Sequence, residues 1–293
     1  MFDPKYFITF MIAIIPALIW AALFMKKHGE NKWLVFLTFI GGIFAAQLIL
    51  LYKGYWDTSI NLIFAKVTLV DFRSNISSMF VSTVLAAFVT FMGIGAMEEF
   101  FKFGVMKLIN KSFFRSIDDV IMFAIVSALG FSFYENMVYF NNHWGLINAQ
   151  AFAVLAVSRV TIVTMVHMLC SGVLGYFFGH AYFASPILRL EHAQKKRHQV
   201  LIFFKSILHM RKSHLYHDEM ITIGLVLAML LHAVYDFVLS STVNLSPALI
   251  TGTVILYFFG GYYLLVYLIR RKKTKLQLGL LLNAEELSDG KEE

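Results

Sequence analysis

Long apolar segments dominate this chain and constrain its fold more than any other feature. Each is close to the ~20 residues that a helix needs to cross the hydrocarbon core of a bilayer. Hydrophobic residues make up 59% of the 293 positions and charged residues only 15%. We therefore predict an all-α, polytopic bundle of about seven transmembrane helices, an integral multi-pass membrane protein. The seven segments are 6–25, 33–51, 86–109, 119–140, 156–178, 219–241 and 248–269.

Basic residues fall on alternate connections between these segments. Of the 25 lysines and arginines, 18 follow the first, third, fifth and seventh segments. The opposite connections carry only Lys5, Lys53, Lys66 and Arg73. Because an excess of Lys and Arg marks cytoplasmic loops, this alternation predicts the N-terminus outside and the C-terminus inside. The net charge of +7 is thereby explained by topology, and no nucleic-acid partner is predicted.

The chain divides into four regions on this reading. Two short amphipathic pieces, near 60–70 in the outer segment 52–85 and at 200–208 in the basic loop 184–218, are predicted to be interfacial helices. The single cysteine, Cys170, excludes an intramolecular disulfide. The regions are 1–85 (N-terminal transmembrane helices and the outer interfacial segment), 86–241 (membrane core), 242–275 (last transmembrane helix and basic stop) and 276–293 (polar tail, predicted to be disordered).

Ionisable residues interrupt four of the apolar segments. A charge at the bilayer centre costs at least ~2.5–3.5 kcal/mol on insertion scales, so such residues are retained where they have a function. Groups on four separate helices are tolerable only where they meet one another or water. We therefore predict one shared polar cavity. The residues are Glu98, Glu99 and Lys102 in the third segment, Glu135 in the fourth, Arg159 and His167 in the fifth, and His232 and Asp236 in the sixth.

The spacing of these residues predicts which of them share a helix face. His232 and Asp236 are separated by one turn (i,i+4), and Lys102 lies three or four residues after the two glutamates, so the lysine can pair with either carboxylate. Glu98 and Glu99 are adjacent and project ~100° apart on a helix. The two glutamates therefore cannot have identical roles.

Three short motifs follow one another along the apolar segments: Glu98-Glu99-Phe-Phe-Lys102, Phe131-Ser-Phe-Tyr-Glu135 and His232-Ala-Val-Tyr-Asp236. In this order they resemble the E-E-x-x-K, F-x-x-x-E and H-x-x-x-D motifs of the PrsW family of intramembrane proteases. That family is related to the CAAX-processing and bacteriocin-processing membrane proteases. The resemblance covers roughly 86–241. It implies a hydrolase of a prokaryotic cell membrane that cleaves single-span or membrane-anchored proteins, of the kind of anti-sigma factors.

The resemblance also implies roles for the residues. Amide hydrolysis needs a base for water, a group that stabilises the oxyanion, and an acid for the leaving amine. Glu98 is the expected base, with Glu99 as its partner or as a ligand of Lys102. The remaining expected roles are to hold water or the oxyanion (His167 and His232), to orient His232 (Asp236), to share the water with Glu98 (Glu135), and to support the site (Lys102, Phe131 and Arg159).

A metal-dependent version would use the same atoms. His167, His232 and Glu98 form the His₂Glu donor set of a catalytic zinc site, with ligands from separate helices because the sequence has no H-E-x-x-H motif. Paired glutamates beside a cation would crowd such a ligand set. A metal-free mechanism is therefore favoured, and Zn²⁺ stays open as the alternative.

Two other classes of function use similar residues. A proton- or ion-coupled transporter also needs buried Glu, Asp, His and Lys, but the sequence shows no two-half symmetry. A non-catalytic membrane scaffold could keep the same fold without hydrolysis. A glutamate–lysine pair can also be a simple internal salt bridge, and it is the presence of ionisable groups on four helices that favours catalysis. The partners predicted are the protein substrate and the lipid bilayer.

Overall fold

The structure is a computed structural model that describes residues 3–28, 32–55, 60–62, 65–67, 83–184, 187, 212–239 and 246–271. A 3₁₀ turn lies at Lys111–Phe113, and π turns lie at Arg159–Val163 and Leu256–Gly260. The elements are α1 (Pro4–His28), α2 (Lys32–Tyr55), β1 (Ile60–Leu62), β2 (Ala65–Val67), α3 (Thr83–Asn110), α4 (Ile117–His143), α5 (Ala149–Ser158), α6 (Thr164–Tyr182), α7 (Lys212–Leu239), α8 (Pro247–Ile255) and α9 (Gly261–Arg271).

Within the described ranges, six helical stretches are long and apolar enough to cross a membrane. A shorter apolar stretch, Pro4–Trp20, lies in α1 and corresponds to the first predicted span. The prediction of a polytopic helical bundle is confirmed, and the protein is an integral multi-pass membrane protein. The six stretches are Lys32–Leu50, Val84–Phe113, Ile117–His143, Ala149–Tyr182, Ser213–Leu239 and Pro247–Tyr267.

The orientation in the membrane stays a prediction. Reporter fusions at Asn31, at Asn142 and at the C-terminus should read inside, outside and inside. An inverted pattern would contradict it.

Helix α4 is the centre of the bundle and packs against α1, α2, α3 and α6. It begins at a capping box in which Ser116 and Asp119 bind each other's backbone N–H groups, an arrangement that fixes helix starts. From Val120 to Phe133 every residue is buried, as expected for a helix that is apolar all round. Glu135, just beyond this stretch, is thereby placed inside the bundle.

Close backbone contact holds α2 against α4. A Cβ atom on Gly42 would collide with the carbonyl oxygen of Ser127, and one on Gly130 would collide with the carbonyl oxygen of Phe39. Small residues at helix crossings allow membrane helices to approach this closely. The two glycines fix the position of α4 one to two turns before Glu135.

Helix α7 packs against both α3 and α6 and completes the wall around the functional residues. At the α3–α7 crossing, a Cβ on Gly95 would lie 3.2 Å from the Cβ of His232. The small residue lets the two helices approach where they carry Glu98 and His232. Helix α9 packs on α6, where Leu265 lies over Gly172 and Leu169 over Gly261.

One local prediction is wrong, and two others fall outside the described residues. The predicted interfacial helix near 60–70 is replaced by the antiparallel strands β1 and β2, with Asn61 opposite Lys66. The alternation Ile60-Asn61-Leu62 has the period of two that is typical of a strand. The amphipathic piece at 200–208 and the polar tail 276–293 lie outside the part of the chain that the structure describes.

Candidate active site

Helices α3, α4, α6 and α7 enclose a cavity of about 390 Å³. The π turn that precedes α6 contributes to its wall, and the apolar part of the lining includes Phe91, Ile94 and Val163. Ionisable groups from four helices converge on this cavity as predicted, but Glu99 and Lys102, which were expected to share it, are not among its lining residues. The ionisable lining residues are Glu98, Glu135, Arg159, His167, His232 and Asp236.

The two adjacent glutamates of α3 have different surroundings. Glu98 lines the cavity, whereas Glu99 is completely buried behind it. One oxygen of Glu99 accepts a hydrogen bond from Lys102 Nζ at 2.8 Å, and the other accepts one from Ser171 Oγ at 2.8 Å. His232 Nδ1 lies 3.1 Å from the first oxygen. The ~100° between neighbouring side chains on a helix separates a cavity-facing carboxylate from a structural one.

Lys102 is buried and its charge is compensated on several sides. Its ammonium lies 2.8 Å from Glu99 Oε1 and 4.0 Å from Glu98 Oε2. It also lies 2.9 Å from His167 Nδ1 and 4.2 Å from the centre of the Phe131 ring. A buried ammonium is tolerable only with such partners, and the ring face adds a cation–π contact. The first residue of the F-x-x-x-E motif therefore supports the lysine of the E-E-x-x-K motif.

His232 is held between the buried and the cavity-facing carboxylates. Its Nδ1 faces Glu99, while its Nε2 lies 3.4 Å from Glu98 Oε2 and 3.6 Å from Asp236 Oδ2. An ionised carboxylate only accepts hydrogen bonds, so Nδ1–H donates to Glu99 and Nε2 is presented to the cavity. Asp236 was expected to orient the ring, but the shorter contact comes from Glu99.

His167 makes two contacts that together assign its hydrogen. Its Nδ1 lies 2.9 Å from the ammonium of Lys102, and its Nε2 lies 2.9 Å from Glu135 Oε2. An ammonium group can only donate, so Nδ1 accepts and Nε2–H donates to Glu135. His167 therefore presents an N–H group at the cavity wall. Its ring meets that of His232 edge to face, with centroids 4.9 Å apart.

Arg159 points into the site. Its Nη2 lies 3.2 Å from the Glu135 oxygen that His167 also binds. Its Nε donates to Asn136 Oδ1 at 2.9 Å, and its guanidinium carbon lies 3.6 Å above the Tyr139 ring. These contacts fix Arg159 and place its charge beside Glu135, which also accepts the hydrogen bond from His167 Nε2.

Sequence reasoning missed three residues that complete the site, namely Ser171, Asn136 and Tyr139. Each had a detectable signal. Ser171 lies one turn after His167, and Tyr139 one turn after Glu135, so each pair shares a helix face. Asn136 is a polar residue inside an apolar segment, where amides hydrogen-bond across helices.

The cavity contains a donor set with spacing suited to a metal ion. One ligand atom each from Glu98, His167 and His232 lie within 4.8 Å of one another, which matches a His₂Glu zinc set in residue types. His232 fits well, because metal-bound histidines usually donate their other N–H to a carboxylate such as Glu99. His167 fits poorly, since the ammonium of Lys102 leaves the hydrogen on Nε2, the atom that faces the cavity.

A second group, Glu99, Cys170 and His232, has the same spacing behind the cavity. Glu99 already accepts hydrogen bonds from Lys102 and Ser171 there. This group is therefore the weaker set for a metal.

Comparison with known proteins places these residues in a family. The family model described as "PrsW family intramembrane metalloprotease" matches residues 30–269, a range that includes every ionisable residue of the cavity. The "Protease PrsW" of Bacillus subtilis (strain 168) is 27% identical over 176 residues, which cover 59% of this chain and 64% of the relative. The match thus spans slightly less than two thirds of that relative's length. No solved structure matches the chain.

Proposed function

The chain belongs to the PrsW family of intramembrane proteases, and we propose that it hydrolyses a peptide bond of a membrane-anchored protein in the cavity between α3, α4, α6 and α7. The observation that carries the proposal is that Glu98, His167 and His232 line one cavity. A carboxylate base, a histidine that can hold the water and a hydrogen-bond donor are thus gathered at one place, as amide hydrolysis requires.

Glu98 is the proposed base that activates water. Its Oε2 and His232 Nε2 are 3.4 Å apart, so a water molecule in the cavity can contact both groups. The water donates a hydrogen bond to Glu98, and His232 helps to hold it in place. Glu98 takes a proton as the water oxygen attacks the carbonyl carbon, and it returns that proton to the amine as the C–N bond breaks.

His167 is the proposed donor to the oxyanion. Its Nε2–H is 2.9 Å from Glu135 in the structure, and a substrate carbonyl can take over this hydrogen bond as negative charge develops on its oxygen. Glu135 then serves as the resting partner of His167, beside its proposed share in holding the water. Asp236, on the cavity side of His232, limits how that ring can turn.

We favour a mechanism without metal, because His167 carries its hydrogen on the nitrogen that would have to bind the ion. Two observations keep a zinc version in view, namely the 4.8 Å spacing of Glu98, His167 and His232 and the description of the family as metalloproteases. Those three residues would hold the ion, and Zn²⁺ would supply a hydroxide nucleophile and polarise the carbonyl.

The proposed substrate is a single-span or otherwise membrane-anchored protein, with anti-sigma-like regulators as the class implied by the resemblance. A helical substrate has all its backbone groups hydrogen-bonded within the helix. The scissile segment therefore has to unwind before the cavity residues can reach its carbonyl. Helix-destabilising residues near the cleaved bond are expected to favour cleavage.

The test is a cleavage assay with purified protein in detergent and a panel of synthetic single-span peptides, some of them with a central Gly-Pro pair. Glu98→Gln keeps the size and hydrogen bonding of the side chain but removes the base, so cleavage should be lost. Asp218→Asn makes the same chemical change at an exposed position of α7 and should leave cleavage intact. Near-normal cleavage by Glu98→Gln would falsify the glutamate mechanism.

A further inference from the structure

A π turn interrupts the helix that carries Arg159 and His167. It covers Arg159–Val163, between α5 and α6. Residues eight apart on a regular α-helix project ~80° away from each other. A π turn accommodates one extra residue, which reduces this difference to ~20°. As a result, Arg159 Nη2 and His167 Nε2 reach the same oxygen of Glu135, at 3.2 and 2.9 Å.

Buried polar side chains form hydrogen bonds at this turn. The backbone N–H and the hydroxyl of Thr164 both donate to the carbonyl oxygen of Arg159, the hydroxyl at 3.0 Å. Asn136 donates to the Thr164 hydroxyl at 3.2 Å and accepts from Arg159 Nε at 2.9 Å. Ser132 lies 2.8 Å from the same hydroxyl. One asparagine on α4 thus ties the turn to the guanidinium that the turn presents.

We propose that Arg159 is a positioning residue of proteolysis, and that the π turn supplies the register that brings it to Glu135. The inference rests on the proposed function. Arg159 neutralises Glu135 and fixes its position, and Glu135 in turn holds the Nε2–H of His167 toward the cavity. Without the guanidinium, the carboxylate of Glu135 would lose the cation that it is paired with and would shift, and the N–H of His167 would shift with it.

A double-mutant cycle tests whether Arg159 acts through Glu135. Arg159→Met should lower kcat about 100-fold, as expected for misplaced catalytic groups, with little change in KM. Arg159→Lys keeps the charge but cannot also bind Asn136, so it should recover part of that loss. Because the two residues act as one unit, Glu135→Gln/Arg159→Met should be no slower than Glu135→Gln alone. Additive losses in the cycle would overturn the inference.

A pair of length variants tests the register itself. Deleting Thr161, whose side chain is exposed, allows a regular α-helix in which Arg159 and His167 are seven positions apart, and this spacing keeps them about 20° apart. Inserting one alanine after Thr161 turns Arg159 by a further ~100°. We expect the deletion to retain cleavage within about threefold of wild type and the insertion to match Arg159→Met. Thr161→Ala is the matched control and should behave as wild type.

The same cycle measured by thermal unfolding gives a readout without substrate, in which non-additive changes in Tm support the Arg159–Glu135 pairing. Equal loss of cleavage in the deletion and insertion variants, both folded, would overturn the role of the register. Failure of the proposed function looks different, because wild type would then cleave no peptide. If wild type cleaves, Glu98→Gln is inert and Arg159→Met is fully active, only the positioning inference fails.

Discussion

The site has two layers that contain the same kinds of residue in opposite circumstances. The back layer, formed by Glu99, Lys102 and Ser171, is completely enclosed, and its charges are paired at 2.8 Å. The cavity face, formed by Glu98, Glu135 and Asp236, borders a space of about 390 Å³. A glutamate whose oxygens are occupied by fixed donors positions its neighbouring side chains. A glutamate that borders a cavity can contact water. Position on the helix, and not residue type, divides these roles.

The comparison predicts that the two layers fail in different ways when they are mutated. Removal of a buried partner leaves an uncompensated charge, which lowers stability. Removal of a cavity carboxylate leaves packing intact and affects the reaction. Each variant should therefore be measured for both cleavage and thermal unfolding.

The largest expected effect is that of Glu98→Gln on cleavage. We expect a loss of about a thousandfold, because a positioned acid or base contributes about 10²–10⁴, with Tm close to that of wild type. Cleavage of the most active peptide and unfolding of the same preparation provide the two measurements. An equal loss of stability in Glu98→Gln and Glu99→Gln would abolish the distinction between the layers.

Glu99→Gln should affect stability most. Breaking a buried ion pair costs about 3–5 kcal/mol, and here Lys102 loses its partner at 2.8 Å and is left with the carboxylate of Glu98 at 4.0 Å. Cleavage should fall as well, since His232 loses its orienting carboxylate. The double variant Glu99→Gln/Lys102→Met removes the stranded charge and should recover stability without recovering cleavage. Unfolding unchanged in Glu99→Gln would show that the back layer does not stabilise the fold.

Ser171→Ala should have a moderate effect. A hydrogen bond to a charged group contributes about 1.5–3 kcal/mol, and loss of this one frees one oxygen of Glu99 to rotate. Stability should fall by about that amount in thermal unfolding. Ser158→Ala is the control and should be nearly neutral, because the Ser158 hydroxyl donates to the carbonyl of Leu155 in its own helix. If the two serine variants are equivalent, Ser171 has no special part in the back layer.

The smallest expected effect is that of a strong chelator. In the metal-free mechanism, prolonged treatment followed by removal of the chelator should leave cleavage within about twofold of the starting value. The matched measurement is metal content by elemental analysis of wild type and His232→Ala. Reversible inactivation, with stoichiometric zinc that is lost in His232→Ala, would show that the residues of the cavity face bind a catalytic metal ion.

The placement of the site could be predicted because ionisable residues in apolar segments are so few. Hydropathy gave the spans and i,i+4 spacing paired His232 with Asp236. Which of two adjacent glutamates faces the cavity depends on how α3 is rotated against α6 and α7, and that rotation is set by packing. The hydrogen bond between His232 and Glu99 depends on the same rotation, so it could not be predicted from the sequence of α7 alone.

Two further features were beyond sequence reasoning for different reasons. No local sequence pattern marks the π turn at Arg159–Val163, because the residues that stabilise it, Asn136 and Thr164, lie on different helices. The strands at Ile60–Leu62 and Ala65–Val67 were misread because short apolar runs suit either a helix or a strand.

The enclosure of α4 has a consequence for biogenesis. Three of its neighbours, α1, α2 and α3, leave the ribosome before it, but Arg159 and His167, which both contact Glu135, lie on the next helix. Until that helix is synthesised, the carboxylate of Glu135 stays in or beside the translocon without the positive charge of Arg159. We therefore expect α4 and the helix 149–182 to enter the bilayer as a pair. In glycosylation mapping of nascent chains, α4 should integrate poorly when the chain stops at Trp144 and fully when it extends to Phe183.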